Sequence, residues 1–180
     1  MNFMERNPEL RELIRESGVT EENIENWKQR VWQAYFDLAK EVPDGHVWKE
    51  GKLEHAKHGM EEAREHAELL GLRGIEVDIV GFIFFCHDVG RLVQALKAQR
   101  GESSFDRLHG IYGVEVLMER LEIFYVTPFW RSVFAAIACH ASSRVPTLED
   151  MSNDRAAFAL ATILRDMDKR EGFLKARRYT

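Results

Sequence analysis

The sequence contains little cysteine and no long uncharged apolar run, and each scarcity excludes a class of protein. Only two cysteines occur among the 180 residues, and both Cys86 and Cys139 lie within apolar segments. Two buried thiols exclude a disulfide-bonded scaffold. The longest uncharged apolar run, residues 79–86, is far shorter than a membrane span of about 20 residues. The first residues lack the apolar segment of a signal peptide, so we expect a soluble, cytoplasmic protein without membrane contact.

Positive charge is also in deficit. The chain has 25 Lys and Arg against 30 Asp and Glu, which gives a formal net charge of −5. A nucleic-acid polymer is therefore not an expected partner, because binding it requires a strongly basic face. A small anionic substrate remains compatible, since a local arginine cluster can oppose the global charge. The sequence also lacks a P-loop, a Gly-x-Ser-x-Gly elbow and a Cys-x-x-Cys pair.

Hydrophobic residues recur at helical spacing along the chain, and no segment alternates with period two for long enough to form a strand. Residue types at the boundaries support this pattern: Gly18 stops one helix, Thr20 caps the next, and Pro128 follows the N-cap Thr127. The predicted helices cover residues 8–17, 21–42, 49–70, 77–100 with a bend at Gly90, 106–121, 128–141 and 154–170. The sequence therefore predicts an all-α fold in one domain, residues 1–180.

Histidine and aspartate stand at the ends of several apolar segments. The doublet His87-Asp88 ends the most apolar one, and His140 ends residues 133–140 in the same way. A carboxylate at the C-terminal end of a buried helix is unfavourable unless a cation or hydrogen bonds compensate it. Each of these residues alone is more often a satisfied core or boundary group. Together they indicate one shared polar centre, whose imidazoles and carboxylates suit Zn, Fe, Mn, Co or Ni.

The order of these residues resembles that of the HD-domain superfamily, all-α metalloproteins named after their His-Asp doublet. The matching segments are His55-x-x-x-Gly59-x-x-x-Ala63, His87-Asp88-Val89-Gly90-Arg91 and Leu164-Arg165-Asp166-Met167-Asp168-Lys169, with His109 and His140 between them. Successive histidines and aspartates are 32, 22, 31 and 28 residues apart, about one helix hairpin each. The resemblance covers about residues 53–172, on which helices 8–40 are expected to pack. It implies a helical bundle with a metal site between facing helices.

The resemblance also implies two divalent metal ions, drawn from Mn, Fe, Co, Ni, Zn or Mg. The residues it assigns to the first ion are His55, His87, Asp88 and Asp168. Those it assigns to the second are Asp88, His109 and His140. Asp88 would then bridge both ions and act in catalysis by orienting the metal-activated water.

Three cations close to these ligands match family positions that often bind substrate, namely Arg91, Arg144 and Lys169. The alternative is that all three are ordinary surface cations near helix ends. Other nearby groups are weaker candidates. His58 lies one turn beyond His55 and could line the pocket, whereas Asp166 points to a different helix face from Asp168.

The function implied first is that of a metal-dependent phosphohydrolase, an enzyme acting on a nucleotide or another small phosphate ester. The first alternative is a di-iron oxygenase, because inositol-oxygenase-like members use the same six ligands. A further alternative is a non-catalytic, metal-bound sensory or binding module. Oxygenases that cleave organophosphonates carry a Tyr shortly before the first His, and residues 45–54 contain none. This weakens that subtype only, and the ligand set does not separate the three classes.

Overall fold

The regular secondary structure is helical throughout the part that the computed structural model describes, residues 3–102, 108–140 and 146–178. Within these ranges there is no strand, which confirms the predicted all-α fold. The helices in chain order are α1 (Phe3–Arg6), α2 (Pro8–Ser17), α3 (Glu21–Glu41), α4 (Val47–Leu69), α5 (Ile75–Cys86), α6 (Gly90–Gln99), α7 (His109–Arg120), α8 (Pro128–His140) and α9 (Arg155–Arg178).

Several helix boundaries follow from local chemistry. Gly18 ends α2 with a φ of +65°, a left-handed conformation that costs glycine little. Thr20 caps α3, because its hydroxyl oxygen accepts from the Asn23 backbone N–H at 3.2 Å. The Asn23 side chain in turn accepts from the Thr20 backbone N–H at 3.0 Å, so two unpaired donors are satisfied. These predicted boundaries are confirmed.

Several elements differ from the sequence prediction. Helix α5 begins at Ile75 rather than at residue 77. The short helix α1 was not predicted, because four residues are too few to show a helical pattern. Helix α4 begins at Val47 rather than at residue 49. Helix α9 continues to Arg178, beyond the predicted end at residue 170. The last two differences lie at helix ends, where the sequence offers no clear stop or start signal.

The apolar helix α5 lies at the centre of the bundle. Every residue from Ile79 to Cys86 is buried, and the helix packs against α3, α4, α8 and α9. The fully buried Tyr35 on α3 donates its hydroxyl proton to the Phe85 carbonyl at 2.9 Å. This bond satisfies a polar atom in the core and fixes the end of α5, directly before the His87-Asp88 doublet.

One stretch within the described residues, Ile75–Gln99, is long and apolar enough to cross a membrane by length and composition. It exceeds the uncharged run considered in the sequence because it continues through the bend at Gly90 into α6. In the fold, 89% of its most apolar part is buried inside the protein. Its apolar surface is therefore covered by the other helices, as in a core helix.

The starts of α6 and α7 approach each other at backbone distance. An added Cβ at Gly90 would lie 1.9 Å from the His109 carbonyl oxygen and 2.4 Å from the Gly113 nitrogen. At Gly110 it would lie 2.6 Å from the Ile137 carbonyl oxygen on α8. Glycine is therefore required for these contacts, which draw the end of α5, the start of α7 and the end of α8 together.

We expect Gly90→Ala to destabilise the protein by about 1–3 kcal/mol or more, because the new methyl group would meet rigid backbone atoms. Gly51→Ala is the matched control, since Gly51 lies within α4 and an added Cβ there would have nothing within 4 Å. That substitution should stabilise the helix by about 0.5–1 kcal/mol. Denaturant unfolding of both variants measures the difference. Equal stability of the two variants would show that the close approach at Gly90 is not required.

Candidate metal centre

Six histidine and aspartate side chains from different parts of the bundle converge on one point. The doublet lies in the turn between α5 and α6, His109 begins α7, and His140 ends α8. His55 comes from α4 and Asp168 from α9. The four histidines and Asp88 are buried, whereas the Asp168 side chain is 44% exposed. The centre is thus deep in the bundle and reaches solvent on the side of α9.

The two carboxylate oxygens of Asp88 face two different pairs of imidazoles. Its Oδ2 lies 3.4 Å from His55 Nε2 and 3.5 Å from His87 Nε2. Its Oδ1 lies 3.5 Å from His109 Nε2 and 3.8 Å from His140 Nε2. Asp88 therefore belongs to two donor sets at once, one at each oxygen.

Asp168 joins the first of these sets. Its Oδ1 lies 3.6 Å from His87 Nε2 and 4.0 Å from His55 Nε2. The ligand atoms of each set all lie within 4.8 Å of one another. We call His55, His87, Asp88 and Asp168 the first donor set. The second donor set is Asp88, His109 and His140.

Backbone carbonyls orient two of the imidazoles. His87 Nδ1 lies 2.5 Å from the Phe84 carbonyl oxygen, and His140 Nδ1 lies 2.5 Å from the Ile137 carbonyl oxygen. A carbonyl oxygen only accepts, so each Nδ1 must carry the proton and donate it. In the neutral ring with its proton on Nδ1, the lone pair of Nε2 is directed at the centre. This tautomer is the one that can bind a metal ion through Nε2.

The separations between donor atoms fit a shared cation. Two atoms that each lie about 2.0–2.2 Å from one ion can be no more than about 4.4 Å apart. The Nε2 atoms of His55 and His87 are 3.4 Å apart, and those of His109 and His140 are 3.0 Å apart. Imidazole and carboxylate are also the donors that Zn, Fe, Mn and Ni accept. The buried residues of this centre could therefore hold a metal ion.

Both carboxylates are ionised at neutral pH. Burial alone would raise the pKa of Asp88, but His87, His140 and Lys52 outweigh it and hold this pKa well below its usual range. Burial also opposes ionisation of Asp168, whose hydrogen bond and charge interaction with His87 lower its pKa to about 2. Each aspartate can thus offer its oxygens to a cation.

Two cationic side chains lie against Asp88. The Lys52 ammonium on α4 contacts Oδ2, and Arg91 Nε on α6 lies 3.6 Å from Oδ1. The Arg91 guanidinium also donates to the buried Gln94 Oε1 at 3.2 Å. Arg91 was a sequence candidate, whereas Lys52 and Gln94 were not. Lys52 lies three residues before His55, so the spacing of one helical turn was the signal that could have found it.

The remaining sequence candidates that the structure describes have exposed side chains. Lys169 follows Asp168 on α9, but its side chain is exposed. Arg144 lies outside the described residues. His58 is exposed on α4, and Asp166 is exposed on α9. Among the described residues neither of these two belongs to a donor set.

No protein-family model, curated protein or solved structure matches this chain. The resemblance to the HD-domain superfamily therefore stays a prediction that the residues themselves carry. The geometry adds an independent observation: the six predicted ligands, spread over more than a hundred residues of sequence, meet in the fold.

Asp88→Ala should abolish metal binding at both donor sets, because it removes the one residue that they share. Asp166→Ala is the control, since it removes an exposed carboxylate two residues from Asp168 and should leave the metal content unchanged. The measurement is metal analysis by plasma mass spectrometry after equilibrium dialysis. Full metal content in Asp88→Ala would rule out its role as the shared ligand.

His109→Ala and His140→Ala should each lower the metal content by one ion, because only the second donor set loses a nitrogen. The first donor set keeps all four of its residues and should still bind. His58→Ala, the replacement of an exposed histidine on α4, should change nothing. A metal titration measures the number of ions bound per protein molecule in each variant. Wild-type protein that saturates at one ion would contradict a second site.

Proposed function

We propose that this protein is a metal-dependent phosphohydrolase that hydrolyses a nucleotide or another small phosphate ester. The observation that carries the proposal is the position of Asp88, whose two oxygens each face a separate pair of imidazole nitrogens. A carboxylate placed in this way suits a ligand shared between two cations. The order of the six residues along the chain, which resembles that of HD domains, supports the same assignment.

The first donor set would hold one divalent ion and the second donor set the other. Two such ions, when bound, lower the pKa of a water molecule and stabilise the charge that develops on phosphoryl oxygens. The protein needs no nucleophilic serine or cysteine for such a hydrolysis. Its own residues hold the ligand atoms in position. The carbonyls of Phe84 and Ile137 orient the rings of His87 and His140, and Asp88 belongs to both donor sets.

The surroundings of the centre suit an anionic substrate. Arg91 lies beside the second donor set, with its guanidinium oriented by Gln94. A guanidinium can bind two phosphate oxygens at once, whereas an ammonium binds them as a point charge. The exposed side of Asp168 provides the route from solvent. A small phosphate ester bound beside the second donor set would lie near Arg91.

Hydrolysis can be tested on protein purified without added metal. Chelator-treated protein should be inactive on nucleoside monophosphates and on a chromogenic phosphodiester, and one or more of Mn²⁺, Co²⁺, Ni²⁺, Zn²⁺ or Mg²⁺ should restore activity.

Arg91→Ala should lower kcat/KM by roughly ten- to a hundredfold with unchanged metal content, the loss expected for one charge-assisted hydrogen bond. Arg100→Ala is the matched control, because Arg100 follows α6 and its side chain is 65% exposed.

Three results would contradict the proposal, and each points elsewhere. Metal-loaded protein that hydrolyses none of these esters is not a phosphohydrolase of this kind. Two bound irons together with substrate-dependent O₂ consumption would identify the oxygenase alternative. Bound metal without either activity would favour a sensory or binding module.

A further inference from the structure

Lys52 occupies a special place at the centre, because its ammonium contacts the same carboxylate oxygen that faces the first donor set. Asp88 Oδ2 lies 3.4 Å from His55 Nε2 and 3.5 Å from His87 Nε2, and the Lys52 ammonium is in direct contact with it. Lys52 stands one helical turn before His55 on α4. The ammonium and the two imidazole nitrogens thus lie around one carboxylate oxygen.

The other oxygen of Asp88 has a different environment. Arg91 Nε lies 3.6 Å from Oδ1, which is beyond hydrogen-bond distance. The Arg91 guanidinium donates instead to Gln94 Oε1 at 3.2 Å. Among the described residues, one oxygen of the shared carboxylate is therefore in direct contact with an ammonium, whereas the other pairs with a guanidinium nitrogen 3.6 Å away. The two donor sets are unequal in this respect.

We propose that Lys52 competes with the metal ion for the first donor set. This inference rests on one part of the proposed function, the assignment of the two donor sets as metal ligands. An ammonium and a divalent ion at one carboxylate oxygen repel each other, and the repulsion is strong where water is largely excluded. An ion therefore binds the first donor set only when Lys52 leaves Asp88 Oδ2.

The side chain of Lys52 is able to leave. It is 22% exposed, and a lysine carries its charge on a flexible four-carbon stem that can extend to water. The second donor set does not require this movement. It fills first, and Lys52 sets the metal concentration at which the first donor set fills.

The experiment is a titration of the full chain with Mn²⁺ alone, in which the electron paramagnetic resonance signal of free Mn²⁺ reports binding. Lys52→Met should tighten the weaker binding step by roughly ten- to a hundredfold, the change that a charge-assisted contact supplies. Lys52→Arg keeps the charge and should leave the weaker step weak. The stronger step should be unchanged in both variants.

Lys49→Met is the matched control. Lys49 lies one turn earlier on α4 and has the same 22% side-chain exposure, but it pairs with Asp44 at 2.6 Å, away from the centre. A second readout needs no affinity fit: the rise in Tm between chelated and Mn²⁺-saturated protein should be larger for Lys52→Met than for wild type. If Lys52→Met does not fold, Lys52→Gln replaces it in both measurements.

Unchanged or weaker Mn²⁺ binding in Lys52→Met overturns the proposal, as does equal tightening in Lys49→Met. Either result leaves the phosphohydrolase assignment standing, because it does not touch the ligands. Wild-type protein that binds no Mn²⁺, Zn²⁺ or Fe²⁺ overturns both proposals together. The two kinds of failure are therefore distinguishable.

Discussion

The buried carboxylate of Asp88 is the constraint on which this fold depends. It follows the most apolar helix of the chain, and its side chain is only 4% exposed. An ionised carboxylate at such a place is costly unless cations or donors surround it. The structure supplies them from several helices: Lys52 from α4, Arg91 from α6, and imidazoles from the start of α7 and the end of α8. Side chains from four helices therefore converge on the charge of Asp88.

Such compensation requires close packing, which the glycines permit. Gly90 and Gly110 allow backbone contact between helices at points where no side chain has room. The same contacts bring the imidazoles within ligand distance of Asp88. Packing and site geometry are therefore not separate properties here, since a shift of α7 along α6 would move His109 away from Asp88. Four of the six histidines and aspartates accordingly lie at helix ends or in the turn between helices, whereas His55 and Asp168 come from within α4 and α9.

The sequence predicted those parts of the structure that depend on local chemistry. Gly18, Thr20 and Pro128 mark helix boundaries because their effects act within a few residues. The convergence of the six histidines and aspartates followed from their resemblance to a known pattern. The contact of Lys52 with Asp88 was not predicted, because a lysine on an amphipathic helix normally lies in solvent. The fit of Gly110 against α8 depends on a neighbour distant in sequence, and no local signal contains it.

The bonds from His87 to Phe84 and from His140 to Ile137 have a consequence for engineering. The Nδ1 atom of each ring is held by a carbonyl three residues earlier in the same chain segment. The contact that orients each ring therefore lies within four consecutive residues of the chain. Flanking positions can be redesigned, for a different pocket shape or charge, without rebuilding the support of these two imidazoles. A helix terminus of this type is a module that a designer could transplant into another bundle.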